Sequence, residues 1–128
     1  MKKSNQIFIN ACNNLPVKRA PVWIMRQAGR YLPEYRKIRS TSSFHDMMHT
    51  PDIMSEVTLL PMNRFNLDAA IMFSDILVVP EALGMKFKLV PKVGPVFEQK
   101  ISNNIDIKNL NFSNNYFKNI YNGIASIR

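Results

Sequence analysis

Only one cysteine, Cys12, stands in the 128 residues, which excludes an intrachain disulfide framework and fits a reducing compartment. Acidic residues are scarce, nine against 17 Lys and Arg. No long unbroken apolar run is present: the longest stretch, 69–80, is interrupted by Ser74 and Asp75, so nothing reads as a bilayer span. The start, Met1-Lys2-Lys3, is basic, but Ile7-Phe8-Ile9 is too short for a signal-peptide core. There is no internal repeat. Apolar residues at 46% and charged residues at 20% exclude wholesale disorder. The expectation is a soluble, cytoplasmic chain forming one small domain or a piece of a larger one.

What is there is positive charge, unevenly placed. The formal net charge is +8, and Lys18, Arg19, Arg26, Arg30, Arg36, Lys37 and Arg39 crowd residues 18–39, opposed only by Glu34. Such a cluster suits phosphate, a membrane surface or a polycarboxylate. Arg predominates, and its planar fork matches carboxylate and phosphate where Lys offers a point charge. The cluster also begins inside the apolar run Val22-Trp23-Ile24-Met25, an unusual place for a merely solvated charge. These features point to an anion site.

Residues 1–16 read as a weakly amphipathic lead-in ending at Pro16. Residues 22–27 read as a buried strand with Trp23 beside it, and Pro33 opens a short helix through Ile38. Thr50 as N-cap, Pro51 and Asp52 start a second helix with Ile53, Val57 and Leu60 on one face and a kink near Pro61. Residues 68–73 read as another buried strand. The alternation of Met85, Phe87 and Leu89 with Lys86 and Lys88, followed by Gly94-Pro95, suggests a β-hairpin within 85–97. Residues 101–122 carry little signal, and 115–128 have helical spacing.

Strand, helix, strand, hairpin, helix is the opening of an α/β protein with a parallel sheet. Two parallel strands alone leave open edges, and a (β/α)₈ barrel needs about 250 residues. The expectation is therefore the amino-terminal part of a (β/α)₈ TIM barrel, truncated.

Two segments carry chemistry. In the first, Arg26 to Arg36, Arg26 stands at the end of the expected strand, Gly29 permits a sharp turn, and Arg30 returns to the same neighbourhood. Two guanidinium groups so placed can clamp a substrate with several carboxylates; alternatively either one pairs with Glu34 or Asp75 as a structural ion pair. In the second, Phe73-Ser74-Asp75-Ile76-Leu77, a polar residue ending a barrel strand points at the active face. As a helix N-cap, Asp75 is equally intelligible.

Together, Arg26 to Arg36 and Leu67 to Leu77 resemble uroporphyrinogen decarboxylase, supported by Pro21-Val22-Trp23, Glu56-Val57-Thr58-Leu59, Ala82-Leu83-Gly84-Met85 and Gly94-Pro95 followed by Phe97. The resemblance is dense over roughly 20–100 and loose beyond. It divides the chain into a lead-in (1–20), a motif-bearing part (21–100) and an Asn/Ile-rich tail (101–128). It implies a cofactor-free carboxy-lyase, homodimeric at full length, that converts the four acetates of uroporphyrinogen III to methyls, giving coproporphyrinogen III. Arg26, Gln27, Ala28, Gly29 and Arg30 would line the substrate cleft, with Arg39 a further basic contact. Asp75 would accept pyrrole N–H groups. Asp75 and Arg26 are the expected catalytic pair, although Arg is too weak an acid to be assigned the proton transfer. Leu60-Pro61 departs from the family's usual Gln before Pro, and the family's later Tyr and His cleft residues have no counterpart in these 128 residues, so the chain alone is expected to be inactive.

Two other readings come from the same residues. One is a small basic module for RNA or another polyanion, built on the 18–39 cluster with Tyr31 and Tyr35; the other is a corrinoid-linked methyltransferase of the same barrel superfamily, against which the intact Arg-Gln-Ala-Gly-Arg motif argues. No nucleic-acid or membrane partner is expected. His45 and His49 stand at i and i+4, a spacing that can chelate a metal from one helix face. Without the metalloprotease Glu or an obvious third ligand, the expectation is no metal. The Met residues read as core filler and Cys12 as inert.

Overall fold

The computed structural model describes residues 6–90 and 92–128; the basic start Met1-Lys2-Lys3 and Pro91 lie outside the described residues. The chain is mixed helix and strand. A short helix, α1 (Ile7–Cys12), precedes an irregular stretch to Leu32. Then come α2 (Pro33–Thr41), α3 (Phe44–His49) and α4 (Pro51–Arg64), followed by a second irregular stretch through Asp75 and α5 (Val78–Ala82). The strands β1 (Phe87–Val90) and β2 (Gly94–Phe97) form an antiparallel hairpin, and α6 (Asn104–Lys108), a 3-10 turn (Asn114–Phe117) and α7 (Lys118–Ile127) complete the order.

The helix starts follow their local chemistry. Pro33 and Pro51 occupy first-turn positions, where a missing N–H costs nothing. Thr50 precedes Pro51 but makes no side-chain cap; the capping box belongs instead to α3, where Ser43 and Asp46 satisfy each other's backbone N–H. The hairpin register pairs Phe87 with Phe97 and Val90 with Gly94, and Lys92 takes the left-handed conformation at its tip (φ 64°).

The core gathers Leu32, Tyr35, Met47 and Val57, with Ile38, Ile53, Leu60 and Phe73 packed around it. α7 closes over α4 so tightly that a Cβ on Gly123 would stand 2.3 Å from the sulfur of Met54. The tail is tied to α5 by hydrogen bonds from Asn111 N to Leu83 O (3.1 Å) and from Ser113 N to Ala82 O (2.8 Å).

Two expectations are corrected. Neither 22–27 nor 68–73 is a strand, and Trp23 is exposed at 47% rather than buried. An apolar run reports that both faces seek cover, whereas a strand also requires a neighbour for its backbone groups. Here the two segments have mainly each other: Asp68 N donates to Val22 O (2.9 Å), and among the described residues the only ladder is that of the hairpin. Among the same residues, no helix is long and apolar enough to cross a membrane.

Candidate functional site

The loop after residue 21 is held by two polar side chains, Asp68 and its own Gln27. Asp68, its carboxylate fully enclosed, receives the Arg19 fork at 2.6 and 3.0 Å and the backbone N–H of Val22 at 2.7 Å. This hydrogen-bonded pairing holds the Arg19 guanidinium above its ordinary pKa. Gln27 is buried; its carbonyl accepts from Ile24 N at 3.2 Å and its amide donates to Ala69 O at 3.1 Å, which ties the two irregular stretches together. Tyr31 donates its hydroxyl proton to Gln27 O.

The turn is not made as expected. Arg26, not Gly29, takes the left-handed conformation (φ 58°). Gly29 instead relieves crowding: a Cβ there would meet the carbonyl oxygen of Arg26 at 3.2 Å, a tight contact. Arg36 then clamps the end of the turn by donating to Arg30 O (2.8 Å) and Tyr31 O (3.2 Å).

On the other side, Thr58 fixes the approach to Asp75. Its buried hydroxyl donates to Met54 O (2.7 Å) and accepts from Phe73 N (2.9 Å). One Asp75 oxygen, Oδ1, accepts from Leu77 N at 2.8 Å at the start of α5. Asp75 stands two residues before Leu77, the N-cap of α5, and that helix has no side-chain cap, so this bond closes a local turn and Asp75 is not the helix N-cap anticipated as one possibility.

Two clefts meet the Ser74–Asp75 pair, one at each residue. The smaller, about 210 Å³, is lined by Arg26, Gln27, Ala28, Ile71, Met72, Phe73 and Ser74. The larger, about 640 Å³, is lined by Arg30, Tyr35, Arg39, Phe44 and Asp75 together with the hairpin tip, including Lys92. Arg26 and Arg30 thus line different clefts. Among the described residues neither is drawn into an ion pair: Glu34 meets Arg64 at 3.4 Å. Arg39 spends one N–H on Ser42 O (2.8 Å) beside the end of α2. Lys92 was missed by the sequence reading, where only the hairpin signal beside Gly94 marked its position.

A third cluster lies on the far side of Phe44. His45 and His49 stack with ring centroids 4.1 Å apart, and Glu81 from α5 faces both, at 3.8 Å from His45 Nε2 and 3.7 Å from His49 Nε2. Tyr116 donates its hydroxyl proton to Glu81 and lies 3.0 Å from His49 Nε2. Burial, then the neighbouring His45, pushes His49 below its ordinary pKa of 6.5 against the pull of Glu81. Burial, then the Glu81 bond, pushes Tyr116 upward. The third partner for the histidine pair, absent from the neighbouring sequence, is therefore supplied by Glu81.

Known proteins match this chain over most of its length. The family model described as uroporphyrinogen decarboxylase (URO-D) matches residues 3–128. The uroporphyrinogen decarboxylases of Alkalilimnicola ehrlichii, Dictyostelium discoideum and Geobacter sulfurreducens are 50%, 47% and 48% identical to it, over 83%, 84% and 86% of this chain. Those matches cover 29%, 30% and 32% of the relatives, so the chain spans about a third of their length. Neither the polyanion-binding nor the methyltransferase reading finds support among them.

Proposed function

The chain belongs to the uroporphyrinogen decarboxylase family, and on that premise we propose that it supplies the amino-terminal, substrate-holding part of an enzyme that converts uroporphyrinogen III to coproporphyrinogen III. The observation that carries this reading is the larger cleft, whose walls carry Arg30, Arg39 and Lys92 together with one carboxylate, that of Asp75. The substrate has eight carboxylates on a ring of four pyrrole N–H groups. It needs cations around its rim and one acceptor at its centre.

The chemistry follows from that placement. Protonation of a pyrrole carbon next to the acetate-bearing position creates a cation delocalised onto nitrogen. The bond from the acetate methylene to its carboxylate then breaks, carbon dioxide leaves, and the electron pair neutralises the ring as an exocyclic methylene. Protonation of that methylene and loss of the added ring proton leave a methyl group. Asp75, preorganised by Leu77 N–H on Oδ1, stabilises the cation as charge develops. Arg26, across Ser74 in the smaller cleft, is placed to hold a side-chain carboxylate rather than to deliver the proton. Gln27 positions the loop through both ends of its amide.

The same reading includes a cofactor-free, cytoplasmic homodimer on a (β/α)₈ barrel in which 22–27 and 68–73, irregular in this chain, take the places of the first strands. Their adjacency and the exposure of Trp23, Ile24 and Ile71 support it, because these are surfaces that further strands and helices cover. Calorimetric binding of uroporphyrinogen III to the chain tests the site. Arg30→Ala is expected to weaken it about 10- to 100-fold, the equivalent of one charged hydrogen bond. Equal binding by the wild-type chain and by Arg30→Ala and Lys92→Ala variants contradicts the assignment.

A further inference from the structure

The histidine pair of α3 lies outside the clefts assigned to the tetrapyrrole, and the decarboxylation has no use for it. His45 and His49 present their Nε2 atoms on one helix face, and α5 brings the Glu81 carboxylate against both. One ligand atom from each of the three lies within 4.8 Å of the others. In a tetrahedral site with bonds of about 2.0–2.2 Å, ligand atoms stand roughly 3.3 Å apart. Glu81 Oε1 stands 3.8 Å from His45 Nε2 and Oε2 3.7 Å from His49 Nε2, and the three donors must draw together from within 4.8 Å, by up to about 1.5 Å, to reach that spacing.

We propose that His45, His49 and Glu81 form a divalent transition-metal site, of the two-histidine, one-carboxylate type that zinc occupies, clipping α3 to α5. The donor set is borderline nitrogen plus one hard oxygen, which favours Zn²⁺ over Mg²⁺ or Ca²⁺. Tyr116 serves as an orienting neighbour: its O–H donates to Glu81, leaving Glu81 Oε1, on the His45 side, for the ion. Metal binding exchanges the contact between His49 Nε2 and the Tyr116 hydroxyl for a bond to the ion, with the imidazole proton on Nδ1. The ion has a way in, because His45 is 60% exposed in its side chain and Glu81 lies on the walls of two open surface clefts. A fourth position remains for water. The clip acts on stability: an ion bound only by the folded chain raises its unfolding temperature.

The test titrates the chelator-treated chain with Zn²⁺ by calorimetry and follows thermal unfolding with and without the ion. One Zn²⁺ per chain and a raised midpoint are expected. Glu81→Gln and His45→Ala are expected to weaken binding by roughly 100-fold or more and to abolish the shift, whereas Cys12→Ser leaves both intact. His45 is exposed, so its variant tests the site without disturbing the core. No binding at a large excess of Zn²⁺, or binding that survives in both ligand variants, overturns the proposal.

Discussion

The hydroxyl of Thr58, buried on α4, accepts the backbone N–H of Phe73 at 2.9 Å while giving its own proton to Met54 O at 2.7 Å. A helix side chain thereby fixes the height at which Ser74 and Asp75 emerge between the two clefts. Thr58→Val keeps the shape but orphans the Phe73 N–H, at a cost of about 1–3 kcal/mol. Denaturant unfolding should show that loss, and Thr58→Ser should recover most of it. Equal stability of the Val variant would remove Thr58 from the account of how Asp75 is placed.

Gly123 is where α7 meets α4. A methyl group there would overlap the Met54 sulfur, and Met54 has no exposure into which to retreat. Gly123→Ala is expected to cost about 1–3 kcal/mol by overpacking. Combining it with Met54→Ala should cost less than the two single changes together, because the cavity receives the methyl.

Gln27 ties Ile24 to Ala69 through one amide. Gln27→Leu leaves Ile24 N and Ala69 O without that partner and should destabilise the chain by about 1–3 kcal/mol per group that stays dry. Uroporphyrinogen binding should weaken with it, through displacement of Arg26 and Arg30. Unchanged binding in a destabilised variant would make Gln27 a purely structural residue.

Asp46 is held below its ordinary pKa of 3.8 by hydrogen bonds from Ser43, the side chain first and the backbone second. A carboxyl depressed in the folded state adds stability that is present above 3.8 and is lost as the pH falls from there through its lower folded value. In chelator-containing buffer, wild type should exceed Asp46→Asn in urea midpoint near neutrality. The gap should narrow only in the acid range below 3.8. A gap that closes between neutrality and 5 would assign it to another group.

Much of this was legible in the chain. Pro33, Pro51 and the hairpin residues around Gly94 act locally, through a fixed φ or a tight turn, so the two helix starts and the hairpin stand as read, while α2 runs on to Thr41 where Ile38 was expected to end it. The runs at 22–27 and 68–73 misled because hydrophobicity reports a wish for cover and not the presence of a pairing strand. Gly29 was read as the residue that permits the turn, whereas the left-handed φ belongs to Arg26. Lys92, Thr58 and Glu81 were beyond reach: each acts on residues far away in sequence, and only the folded chain makes them neighbours.

The most direct measurement is coproporphyrinogen III production by a chimera in which this chain replaces the segment it matches in the Geobacter sulfurreducens relative. Turnover is expected, and Asp75→Asn in the chimera should lower it by about 100-fold or more while keeping the side-chain acceptor for Leu77 N–H. A folded chimera without product, or one indifferent to Asp75→Asn, would contradict the assignment of this chain to the substrate-holding part of a decarboxylase.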